Sequence, residues 1–161
     1  MIKEVHGDIL LSSAQAIAHG VSPNDNFGQG LALSLRERWP ALYKDFRHYC
    51  HTAHPKAGEV WVWAGADGKR IANLLTQEAA YGHGERPGEA TLPNVNHALR
   101  ALARVIESEG LTSIALPRLA TGVGRLQWEQ VRPLIDEHLG ALPVSVYLYT
   151  LYEKDVRASE D

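Results

Sequence analysis

The sequence predicts an α/β fold: a three-layer α/β/α sandwich around a central mixed, mostly parallel sheet. Three observations predict it. Short apolar runs alternate with stretches of helical period along the whole chain. One strictly alternating segment, residues 59–64 (EVWVWA), is followed by the turn Ala66-Asp67-Gly68 and a second apolar run at 70–76, a hairpin that adds an antiparallel pair. Two glycine-bearing loops, 24–35 and 116–128, each end in a helix, as at the carboxyl edge of an open sheet.

The elements follow in order. Residues 2–6 alternate and read as a first strand closed by Gly7-Asp8, and the small-residue run 14–19 reads as a buried second strand. From Gly30 the apolar positions Leu31, Leu35, Trp39 and Leu42 recur at helical spacing. Pro40 suits the first turn of a second helix, which Pro55 stops. After the hairpin, 81–88 is rich in glycine and charge and reads as a mobile loop. Residues 92–109 form a long amphipathic helix with Val95, Leu99, Leu102 and Ile106 on one stripe, ended by Gly110. A buried strand at 113–116, a helix from Gln127 to Leu139 and a last strand at 144–151 complete the series. The expected organisation is one domain over 1–152 and a charged tail, 153–161, that frays.

Composition narrows the function classes. The chain has 161 residues, 45% apolar and 22% charged, the profile of a soluble globular protein. No apolar run approaches the ~18 residues of a membrane helix. The acidic, strand-like start does not resemble a signal peptide. Cys50 stands alone, so no internal disulfide forms, and a reducing cytoplasm is expected. The net charge is −3 with no basic run, so nucleic acid is not an expected partner and any phosphate contact must be local.

The run LPRLATGVGRLQW, 116–128, carries most of the functional signal. Its glycines, Gly122 and Gly124, bare the backbone between a strand and a helix, where N–H groups can cradle phosphate oxygens. Gly28-Gln29-Gly30 opens a second such loop, and two loops suggest a ligand with more than one phosphate. No Gly-Lys-Ser/Thr occurs, which excludes a P-loop. Asp8, beside Ile9, reads either as an acceptor for an exocyclic amine such as adenine's or as a turn aspartate capping backbone amides. His48, His51 and His54, with Cys50 between them, lack the further cysteine or carboxylate of a metal site and read as a packed or solvated helix face. Neither a metal nor a cofactor is expected. Trp61 and Trp63 read as packing residues, and Trp128 as a buttress of the glycine loop.

In order along the chain, VHGDIL, AHGVSPNDNFGQGLA, LPRLATGVGRLQWEQV and VYLYTL resemble the macrodomains, the ADP-ribose-binding modules. The branch they most resemble contains the terminal ADP-ribose protein glycohydrolase. The resemblance implies a macrodomain fold and a site that can be set on these residues. Asp8 and Ile9 would read adenine. His19, Gly20, Val21 and Ser22 would line the approach to the distal ribose, with Thr76 nearby. Gly28, Gln29, Gly30 and Leu31 would wrap that ribose and a phosphate. Ala120, Thr121, Gly122, Val123, Gly124 and Arg125 would hold the diphosphate, and Tyr149, Thr150 and Leu151 would wall the adenosine.

The resemblance also implies a departure. That branch attacks the ribose with a lysine and uses an aspartate, and the corresponding positions here are Gln77 and Gly124. Glutamine forms no covalent adduct and glycine is no base, so the lysine route is closed. Hydrolysis of a labile ester by a positioned water is the favoured expectation, since the chain shows no effector domain for a reader to serve. The candidate catalytic groups are Gln77, Asn24, Asp25 and Arg125, with Glu78 and His83 as further side chains near the ribose. Asp25 reads more readily as an ordinary loop residue before a helix than as an acid or base. The expected partners are ADP-ribose and mono-ADP-ribosylated proteins. The competing expectations are a reader that binds without turnover, and an enzyme that removes ADP-ribose from nucleic acid.

Overall fold

The computed structural model describes residues 1–79, 88–122 and 124–161. The loop expected at 81–88, with His83, and the expected diphosphate contact Val123 lie outside the described residues, apart from Gly88.

Among the described residues, six strands form one sheet: β1 Ile2–Gly7, β2 Ala16–Val21, β3 Val60–Ala64, β4 Arg70–Leu75, β5 Ser113–Pro117 and β6 Ser145–Tyr152. Their spatial order is β1-β6-β5-β2-β4-β3. Every pairing is parallel except β3 with β4, the hairpin that the alternating EVWVWA run predicts. Four α-helices among the described residues cover the sheet: α1 Gly30–Arg38, α2 Pro40–Ala53, α3 Leu92–Glu109 and α4 Trp128–Leu139. Parallel strands buried on both faces need apolar residues on both, and the sheet meets this with two cores. Ala16, Ala18, Leu74, Leu116 and Leu148 pack under α3 and α4 with Val95, Leu99, Leu102, Ile106, Val131 and Ile135. Ile17, Val21, Ile71 and Leu75 pack under α1 and α2 with Leu35, Trp39, Leu42 and Phe46.

Local chemistry sets the helix ends. α3 starts where the Thr91 hydroxyl accepts from the Asn94 N–H at 3.2 Å and stops at Gly110, in the left-handed region at φ 63°. α2 opens on Pro40 as the sequence predicts, but it ends on His54, at φ 47°, one residue before Pro55. Because all strands but β3 run the same way, the residues after β1, β2, β4, β5 and β6 share one edge of the sheet.

The tail departs from expectation. Residues 153–161 lie against that edge instead of fraying: the Asp8 N–H donates to the Val156 carbonyl at 2.7 Å, and the Glu153 N–H to Gly7 at 3.1 Å. Composition showed the charge of this segment, but not the carboxylate and amide partners waiting for it at the ends of β1 and β6.

Candidate functional site

Two adjoining cavities open at the carboxyl edge and share Gly30, Leu31 and Pro117. The larger, about 480 Å³, lies between the start of α1 and the loop after β5. The smaller, about 380 Å³, lies beside the end of β1.

The start of α1 is uncapped. Its capping residue, Gln29, is extended at φ −157° and makes no side-chain cap, and no acidic residue lies in the first turn. The N–H groups of Gly30, Leu31 and Ala32, which a helix start leaves unpaired, therefore have no side-chain cap among the described residues, and these three residues line the large cavity. The period that predicts this helix explains its placement: Leu35 is buried beneath it, while Leu31 is half-buried and walls both cavities.

The second loop supplies the opposite wall with Arg118, Leu119, Ala120, Gly122 and Gly124. Ala120 and Arg125 both adopt positive φ, 62° and 64°, and the Leu126 N–H closes the turn on the Ala120 carbonyl at 2.8 Å. Its two glycines differ in kind. A Cβ on Gly122 would meet open space, whereas one on Gly124 would sit 2.7 Å from the Ala120 carbonyl oxygen and 2.9 Å from the Ala90 methyl. No side chain, an aspartate included, fits at 124 while the loop holds this shape. Arg125 points away from the expected role: it is 73% exposed and pairs with Glu89 at 3.9 Å outside the cavity lining. Thr121 also turns inward on its own loop, donating to the Arg118 carbonyl at 2.9 Å.

His19, Gly20, Asp25 and Gln77 form the remaining wall. His19 is fully buried, and burial holds its pKa below the ordinary imidazole value. Asn73 donates its amide hydrogens to the Trp61 and Ile71 carbonyls, so its oxygen faces His19 Nε2 at 2.7 Å. The ring is thus neutral with its proton on Nε2, and buried Nδ1 is an acceptor without a partner among the described residues. Thr76 Oγ1, packed against Gly20, is the other such atom. Asp25 is used by the loop: it accepts from the Ser22 N–H at 3.0 Å, the Ser22 hydroxyl at 3.2 Å and the Phe27 N–H at 2.8 Å. Gln77 donates its amide to the Gly88 carbonyl at 3.1 Å, leaving Oε1 as its acceptor. Glu78, the next residue, accepts from Asn94 Nδ2 at 2.9 Å.

The small cavity is mostly apolar and gathers Asp8, Ile9, Leu31 and Tyr149 with Gly7, Leu10, Ser34 and Tyr152. Asp8 is 4% exposed; one carboxylate oxygen accepts from the Leu10 N–H at 3.1 Å and the other from the Asp155 N–H at 3.0 Å. Both readings of Asp8 therefore meet in one residue, a backbone cap that also lines a pocket. Burial and a 2.6 Å hydrogen bond to Glu160 push the Tyr149 phenol well above its usual pKa.

Several expected contacts lie elsewhere. Val21 belongs to the core under α1 and α2, and Ser22 is buried in its loop. Asn24 is exposed with φ 61° and lines neither cavity; Asn26, two residues on, does, while its side chain caps the Gly28 N–H at 2.9 Å. Thr150 and Leu151 also line neither cavity, and the strand presents Tyr149 and Tyr152 instead. Arg118 is the functional candidate the sequence reading left without a role: it lines the cavity directly after β5, its guanidinium 5.6 Å over the Trp128 ring.

Among the described residues no three His, Cys, Asp or Glu side chains gather as a metal site. No described helix is long and apolar enough to cross a membrane. Trp63 donates to Asp45 at 2.8 Å and Trp61 stacks on Tyr49 with centroids 5.0 Å apart, both as packing residues.

The sequence matches the Macro domain family over residues 18–135. Human ADP-ribose glycohydrolase OARD1 is 28% identical over 151 residues, covering 93% of this chain and 91% of that protein. The DNA ADP-ribosyl glycohydrolase of Thermus aquaticus is 29% identical over 153 residues, covering 92% of this chain but only 41% of that protein. Among solved structures, the macrodomain of Thermus aquaticus DarG superposes with a TM-score of 0.82 at 28% identity, over 93% of this chain and 98% of that one. Thermosipho africanus DarTG in complex with ADP-ribose shares the fold at TM-score 0.81 and 22% identity, over 97% of this chain and 42% of that one.

Proposed function

The chain belongs to the Macro domain family, and from that premise we propose that it binds ADP-ribose and hydrolyses ADP-ribosyl groups from modified proteins, cutting esters on acidic side chains. One observation carries the reading: the uncapped start of α1 and the glycine loop after β5 line one cavity that runs on into the pocket at Asp8. In this reading adenine lies in the small cavity with its amine on Asp8. The diphosphate lies between the two loops, and the distal ribose lies near His19, Gly20 and Gln77. The relatives' names, glycohydrolases of ADP-ribose and of DNA-linked ADP-ribose, support the reaction class.

The chemistry needs no covalent nucleophile. A water oxygen bonds to the anomeric carbon, the bond from that carbon to the protein carboxylate breaks, and the electron pair leaves with the carboxylate. The water proton passes to solvent beside the diphosphate. A carboxylate leaves without protonation, so placing the water supplies most of what the step requires. Gln77, its amide nitrogen fixed on Gly88, offers Oε1 to orient that water. Developing negative charge falls to the loop amides and to Arg118, which lines the cavity, rather than to Arg125. Buried, unpaired Cys50 accords with a cytoplasmic setting.

The test is release of label from a glutamate-linked mono-ADP-ribosylated protein at several pH values around neutrality. Release above the spontaneous rate is expected, and its absence at every pH sinks the hydrolase. The reader alternative is favoured by Gln77 and Gly124 standing where the resembled branch has its lysine and aspartate. It predicts tight ADP-ribose binding with no turnover of any linkage.

A further inference from the structure

Residues 153–161 form no helix or strand, yet they are fastened at many points to the adenine end of the cleft. The Asp8 N–H donates to the Val156 carbonyl at 2.7 Å, and the Asp155 N–H returns to the Asp8 carboxylate at 3.0 Å. Glu160 then takes three donors on one carboxylate: the Ser12 hydroxyl at 2.6 Å, the Ser13 N–H at 2.9 Å and the Tyr149 phenol at 2.6 Å. Arg157 reaches the Leu11 carbonyl at 3.2 Å. β1 is shaped to admit the strap: Gly7 has φ 153°, and a Cβ there would sit 2.7 Å from the Val156 carbonyl oxygen and 2.9 Å from the Ala158 nitrogen.

The strap therefore touches two residues that line the small cavity, Asp8 and Tyr149. A carboxylate has about four acceptor positions. With one N–H held on each oxygen, the Asp8 group cannot rotate freely, and its remaining acceptor positions point in fixed directions. Such a group accepts from a 6-amino purine and repels a 6-oxo purine, because a carboxylate has no hydrogen to offer the second.

We propose that the 153–161 strap is a positioning element for base selection, in which Asp155 sets the Asp8 carboxylate and Glu160 sets Tyr149 so that the site takes a 6-amino purine and rejects a 6-oxo one. The inference rests on the ADP-ribose reading. Asp155 and Glu160 touch no ligand in it; they act through Asp8 and Tyr149.

The test compares wild type, Glu160→Ala and Asp155→Pro, each titrated with ADP-ribose and with its inosine counterpart, with thermal melts to report folding. Proline removes the donor to Asp8 and cannot adopt the φ of 60° found at Asp155. Wild type should prefer ADP-ribose. Both variants should lose about tenfold in ADP-ribose affinity, the scale of one hydrogen bond to a charged group, with the inosine ligand little changed. A ratio of the two affinities that stays at the wild-type value in folded variants overturns the proposal. If Asp155→Pro does not fold, Glu160→Gln, which keeps the shape and removes the charge, decides in the same way. Fast amide exchange at both Asp8 and Asp155 in the wild type overturns the strap without reference to ligand. Wild type that binds neither ligand sinks the ADP-ribose reading itself, before any variant is compared.

Discussion

Gly122 and Gly124 sit two residues apart in one loop, and the structure assigns them opposite responses to a single added methyl. At Gly122 the new Cβ meets nothing within 4 Å. At Gly124 it meets the Ala120 carbonyl oxygen at 2.7 Å, the Ala120 Cα at 2.9 Å and the Ala90 Cβ at 2.9 Å. Ordinary contact for such a carbon begins near 3.4 Å, so two stretches of backbone must separate by half an ångström or more. They are also tied to each other, since the Ala90 N–H donates to the Gly124 carbonyl at 3.1 Å. Overpacking of this kind costs about 1–3 kcal/mol. Gly122→Ala should stay within about 0.5 kcal/mol of wild type, as surface changes do. Urea unfolding reads the stability difference, and calorimetric titration with ADP-ribose reads the loop. If opening the loop misplaces the diphosphate contacts by the same free energy, affinity falls about 5- to 150-fold for Gly124→Ala. Gly124→Asp should do the same and should not create lysine-type chemistry, even combined with Gln77→Lys. Equal behaviour of the two alanine variants, or a Gly124→Ala protein as stable and as tight-binding as wild type, refutes the reasoning.

Three further outcomes follow from the same geometry. Gly122→Glu places a carboxylate in the open space before the loop and should abolish ADP-ribose binding while leaving the melting temperature near wild type; calorimetry and a thermal melt check this together. Asp8→Ala should weaken ADP-ribose by about 1–3 kcal/mol. It should also lower stability by about 1–2 kcal/mol, because the carboxylate holds the Leu10 and Asp155 amides as well as facing the pocket. His19 has its folded pKa below the unfolded 6.5, so the unfolded state takes up the proton first. Stability from this residue is complete above that value and is lost as pH falls from it towards the folded pKa, with a slope of up to about 1.4 kcal/mol per pH unit. Denaturant midpoints measured against pH should show this slope in wild type and a flatter one in His19→Gln.

The fold was legible because its signals are periodic and local. The stripe of Val95, Leu99, Leu102 and Ile106 marks α3, and its ends at Leu92 and Glu109 follow from a threonine cap and a glycine stop. EVWVWA marks β3, the antiparallel partner of β4. The two glycine loops were legible as places where backbone is bared. Which side chains reach the cleft was harder to read. Asn24 and Asn26 are equally polar and adjacent but one, and only the left-handed turn at Asn24 and the demands of the Asp25 carboxylate decide which of them faces the cavity. Arg118 and Arg125 flank the same loop, and the positive φ at Arg125 sends that side chain out to Glu89. The strap was hidden for a different reason. Its partners Gly7, Asp8 and Ser12 are more than a hundred residues away in sequence, and no local pattern encodes such a meeting.

In the proposed complex, main-chain amides of α1 and the β5 loop close around one diphosphate, with adenine at Asp8. Titration of the folded protein with ADP-ribose, followed by heat release and by melting temperature, tests this most directly. Saturable heat is predicted, with stabilisation of about 2.7 kcal/mol at a ligand concentration of about 100 times Kd. Well-folded protein that gives no heat and no change in melting temperature contradicts the account.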